Sequence, residues 1–61
     1  FVYIGENVTI GNNTKIYPHT YLSEDVVVGN DTWLASGVKV YNGSKIGSHC
    51  IIHSGTVIGS D

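Results

Sequence analysis

Three histidines, His19, His49 and His53, and one cysteine, Cys50, are the side chains best suited to proton transfer, metal ligation or nucleophilic attack. An imidazole titrates near neutral pH and can serve as general base toward a hydroxyl or amine. A thiol attacks as the thiolate, which needs an exposed, electropositive setting. No base is placed for Cys50, and its position reads as a small core residue. His49 and His53 are separated by about 13 Å of extended chain, too far for one ion. A metal there would need a ligand from a neighbouring subunit, so no metal site is expected. His53 is the weak catalytic candidate. The plainer reading makes it a polar residue satisfied at an interface. Substrate-binding residues are not identifiable. No G-x-x-x-x-G-K-[ST] and no G-x-G-x-x-G after a strand occurs, and no cofactor is expected.

The elements that must hold these residues follow a period of six. Ile4, Ile10, Ile16, Leu22, Val28, Leu34, Val40, Ile46, Ile52 and Ile58 occupy one leading position without a slip. Position five is small or β-branched: Val8, Thr14, Thr20, Val26, Thr32, Val38, Ser44, Cys50, Thr56. Position six holds all three lysines. Strand side chains alternate faces, so positions five, six and one run in, out, in. Positions two to four hold all eight glycines and cluster Asn, Asp and Glu, the residues of tight corners. Such short strands cannot form hairpins at this regularity. They predict an all-β parallel β-helix, three hexads per 18-residue coil, about three coils in all. Asn42-Gly43, ordinarily a hairpin turn, falls in the frame as a corner.

Three faces result. Outward residues are Tyr3, Tyr21, Lys39 and Val57 on face A; Thr9, Val27 and Lys45 on face B; Lys15, Trp33 and Ile51 on face C. The corner after face B is polar. The corner joining C to A is flanked by apolar side chains. Tyr17, Tyr21, Trp33, Ile51, His53 and Val57 are therefore expected to form an oligomer interface, with a trimer suited to a triangular prism.

Residues 1–61 are expected to be part of a single hexapeptide-repeat domain within a longer chain, because the repeat is in register at both ends. The net charge of −2 with three basic residues gives no nucleic-acid footprint. No apolar run is long enough for a membrane span. The sequons at Asn7, Asn12, Asn30 and Asn42 are by-products of the repeat rather than glycosylation sites.

The run Ile46-Gly47-Ser48-His49-Cys50-Ile51-Ile52-His53-Ser54-Gly55-Thr56-Val57-Ile58-Gly59-Ser60-Asp61 resembles the early coils of the UDP-3-O-acylglucosamine N-acyltransferase family. Val40–Gly47 and Lys15-Ile16-Tyr17-Pro18 are similar to it too. That family lies within the hexapeptide-repeat acyltransferases. The resemblance implies left-handed coiling and a cytoplasmic homotrimer. It implies transfer of a 3-hydroxyacyl chain from acyl carrier protein to a UDP-linked glucosamine in the lipid A synthesis of lipopolysaccharide. The family's catalytic histidine sits in an Ile-Ala-His context at position three of its hexad. His19 and His49 are at position four and His53 at position two, so none inherits that role. The N-terminal sugar-nucleotide-binding domain and later coils are expected outside this sequence, leaving residues 1–61 alone inactive. Alternatives are another acyltransferase or the helical half of a nucleotidyltransferase. A structural or ice-binding β-helix is disfavoured because Thr9 alone among the threonines points outward. A γ-type carbonic anhydrase is disfavoured by its unmet histidine spacing.

Overall fold

A computed structural model of the chain describes residues 1–59. Ten two-residue strands lie at positions six and one of successive hexads. They are β1 (Tyr3–Ile4), β2 (Thr9–Ile10), β3 (Lys15–Ile16), β4 (Tyr21–Leu22) and β5 (Val27–Val28). They continue as β6 (Trp33–Leu34), β7 (Lys39–Val40), β8 (Lys45–Ile46), β9 (Ile51–Ile52) and β10 (Val57–Ile58). The strands are one residue shorter than the predicted three-residue runs, although position five still faces inward. Every pairing is parallel and joins residues 18 apart, such as Tyr21↔Lys39 and Leu22↔Val40. Three sheets form in the orders β1-β4-β7-β10, β2-β5-β8 and β3-β6-β9, giving the prism the period predicts.

The leading positions fill the axis. Leu22, Leu34 and Val40 are completely buried, as are Val26 and Val38 from position five, and Val28 and Ile46 join them. Burying each such side chain contributes about 1.5–3 kcal/mol. Ile10 packs against this core, while Ile4, in the first coil, is exposed.

The backbone is satisfied coil by coil. Position six donates to position five of the next coil (Trp33 N–H to Cys50 O, 2.8 Å), and position two to position one (Gly29 N–H to Ile46 O, 2.8 Å). At the corners the fourth residue donates backwards, as His49 N–H does to Asn30 O at 2.9 Å. All nine fourth-position residues from Asn7 to Gly55 have positive φ. That left-handed conformation favours Gly, Asn, Asp and His, which are the only types found there.

Position five supplies a second device. The Thr14 hydroxyl donates to Gly29 O at 2.7 Å, and Thr32 to Gly47 O at 2.8 Å. Each inward hydroxyl thus ties a corner carbonyl one coil on. Thr32→Val keeps the shape but removes the donor to the Gly47 carbonyl. A stability loss of about 1 kcal/mol is expected, read as a lower urea midpoint with an unchanged m-value.

Candidate functional site

The histidines separate by backbone role. His19 and His49 are fourth-position corner residues with φ of 66° and 59°. Their place in the sequence is explained by the left-handed conformation the corner demands. His49 Nδ1 lies 3.9 Å from Asp31 Oδ2, the equivalent corner one coil earlier. His53 is exposed at position two of the C–A corner, and its carbonyl accepts the Thr56 N–H at 3.2 Å. Among the described residues no hydrogen bond links a histidine ring to a hydroxyl or thiol. Nor do three His, Cys, Asp or Glu side chains converge on one point among them. Cys50 is half-buried against the core, with its thiol turned to Ser48 O at 3.6 Å. It stands in the Thr14–Thr32 column, as the small inward residue its position predicts.

The six residues of the predicted interface all lie on the outside, but they divide into groups. Tyr17 and Trp33 meet edge to face across the C–A corner, ring centroids 5.5 Å apart. Ile51 extends the face C column one rung beyond Trp33, through β6–β9 pairing. Trp33, Ile51 and Val57 all present exposed apolar side chains. Tyr21 turns the other way. It stacks on Tyr3 at 4.9 Å and meets Tyr41 edge to face at 6.4 Å. Tyr3 and Tyr41 were not in the predicted set. The spacing of 18 between Tyr3 and Tyr21 carried the signal for the stack, whereas the lean toward Tyr41 depends on ring orientation.

A shallow, open depression of about 380 Å³ lies beside Trp33, lined by Asn13, Lys15, Asp31 and Thr32. Sheet β3-β6-β9 supplies Lys15 and Trp33, one above the other in register. The corner before it supplies Asn13 and Asp31. The indole wall with an ammonium and a carboxylate could hold a small polar group, but it offers no paired base and nucleophile.

Tyr3 donates its phenol proton to Glu24 Oε2 at 3.3 Å. The Glu24 charge, together with that bond, raises the phenol above its usual ionisation range. The raised value favours the folded state below the unfolded phenol's pKa of about 10, and that contribution is lost as pH rises through the folded value. Glu24→Gln should therefore move the phenolate absorbance onset of one tyrosine to lower pH. An unchanged titration would show the contact to be inert.

A family model described as bacterial transferase hexapeptide (six repeats) matches residues 25–60. A UDP-3-O-acylglucosamine N-acyltransferase of Polynucleobacter asymbioticus is 43% identical over all 61 residues, which are 17% of that protein. One of the same name from Coxiella burnetii is 36% identical, aligned to 95% of the chain and 22% of its own length. The bifunctional protein GlmU of Carboxydothermus hydrogenoformans is 39% identical over 93% of the chain and 13% of its own length. The chain thus spans less than a quarter of each of these relatives. No solved structure matches it at significance.

Proposed function

Because the chain belongs to the bacterial transferase hexapeptide family, we propose that it is part of the β-helix of an N-acyltransferase of lipid A synthesis. The whole enzyme would move a 3-hydroxyacyl chain from acyl carrier protein to the amine of UDP-3-O-acylglucosamine. The observation that carries this reading is the 43% identity, over an alignment that spans all 61 residues, to a protein of that name. The β-helix is a rigid rod whose faces are set by register, so it suits the role of positioning substrates between subunits. A sugar-nucleotide-binding domain and further coils belong to the same protein in this reading, and catalysis depends on residues beyond these 61. In this reading the reaction is cytoplasmic. Among the described residues no helix is long and apolar enough to cross a membrane.

The test is acyl transfer by the full-length protein, from 3-hydroxyacyl-loaded acyl carrier protein to UDP-3-O-acylglucosamine, read by product mass. A second reading is another acyltransferase or the helical half of a nucleotidyltransferase, since the chain is also 39% identical to a protein of a different name. Turnover only with a short acyl thioester or a nucleoside triphosphate would select it.

Within this proposal Tyr17, Trp33, Ile51, His53 and Val57 line a homotrimer interface, with Tyr21 at its margin. Exposed Trp and Ile on neighbouring rungs are the anchors such an interface needs. Trp33→Ala with Ile51→Ala should shift the full-length protein from trimer toward monomer in sedimentation, a cost of about 2 kcal/mol or more per interface. An unchanged trimer would place the contact elsewhere.

A further inference from the structure

Asn42-Gly43 is a motif that neither the axis nor the proposed function uses. It is the one Asn-Gly pair in the chain, and both residues are exposed. Such pairs are chemically labile, since glycine has no side chain to hinder its backbone nitrogen from attacking the preceding asparagine's amide carbon. This corner restrains that attack. Ser44 N–H donates to Tyr41 O at 3.3 Å, and Gly43 has φ of +72°. Those are the marks of a type II turn, in which the residue at Asn42's place has ψ near about +120°. That rotation carries the Gly43 nitrogen away from the Asn42 side chain. The Gly43 N–H is also committed to Glu24 O at 3.1 Å in the previous coil. The Asn42 amide oxygen, in turn, accepts from the buried Ser23 hydroxyl.

We propose that Asn42 is a latent deamidation site, closed in the wound coil and exposed to reaction when this corner opens locally. On opening, the Gly43 nitrogen loses its proton and bonds to the Asn42 side-chain amide carbon. The carbon–nitrogen bond of that amide breaks, and ammonia leaves with the proton. Water then opens the cyclic imide at either carbonyl, giving an aspartyl or isoaspartyl residue. The aspartyl product sets a carboxylate one rung beyond Glu24, in the column Glu6, Glu24, Asn42, so like charges stack. The isoaspartyl product lengthens the backbone by one carbon and breaks the six-residue register. The corner then recloses less well, and the modification records that the coil has opened.

The intact protein is incubated in mildly alkaline buffer with and without unfolding urea, then cut with trypsin. Cleavage after Lys39 and Lys45 releases Val40–Lys45, whose amide-to-acid mass change is followed with time. The unfolded protein should convert at least about tenfold faster than the folded one, equivalent to about 1.4 kcal/mol for opening. In the folded protein the rate should rise at urea concentrations below the global midpoint. Equal folded and unfolded rates, or a folded rate flat until global unfolding, would overturn the proposal. The variant Asn42→Asp reproduces the aspartyl product and should raise the unfolding constant by up to about fivefold. Stability identical to the parent would overturn the claimed consequence.

Discussion

Gly29→Ala should strongly destabilise the stacked coils. A Cβ on Gly29 would stand 2.7 Å from the carbonyl carbon of Gly47 and 2.7 Å from the backbone nitrogen of Ser48. Those atoms belong to the next coil, whose position is held by Gly29 N–H to Ile46 O at 2.8 Å and by β5–β8 pairing. The methyl group fits only if the two coils part, which breaks the corner and strains the rungs on either side. Overpacking against flexible side chains costs about 1–3 kcal/mol, and backbone that cannot yield costs more. The expected loss exceeds about 3 kcal/mol. The control is Gly55→Asn. Gly55 has φ of +77° but nothing within 4 Å of its would-be Cβ, and asparagine already serves at the same corner position in Asn7 and Asn13. That change should cost under about 1 kcal/mol. Urea unfolding of both variants decides the matter: similar midpoints would show that coil spacing does not exclude a side chain at Gly29.

Leu34→Ala is the second large effect. Leu34 is completely buried in β6, with Ile16 and Ile52 in register one coil before and after. A stack of coils cannot collapse sideways into a gap, because each rung's height is set by hydrogen bonds on both sides. The cavity therefore stays open, and the loss should fall in the upper part of the range of about 2–5 kcal/mol for such truncations. The control is Lys39→Ala, an exposed position-six residue of β7, which should cost under about 0.5 kcal/mol. A Leu34 variant no less stable than the Lys39 variant would contradict the shared axis.

The period of six placed the leading residues inward and predicted the parallel pairing at 18 residues. His19 and His49 were likewise legible as corner residues. The confinement of the fourth position to Gly, Asn, Asp and His also carried its left-handed φ, although only the backbone made that visible. The expected interface fared differently. That Tyr17, Tyr21, Trp33, Ile51, His53 and Val57 lie outside follows from strand alternation. That Trp33 meets Tyr17 while Tyr21 joins Tyr3 and Tyr41 depends on rotamers, which periodicity does not encode.

By itself, the order of residues determined the winding, the dry axis and the corner positions, since each depends on which way successive side chains point along a repeating backbone. Only the tertiary structure decided that Gly29 must lack a side chain while Gly55 need only turn left, that Tyr21 leans from one edge to the other, and that the Asn42 corner is closed to attack. Each of those rests on the distance between coils, which residues 18 apart in the chain reach only once the helix is wound.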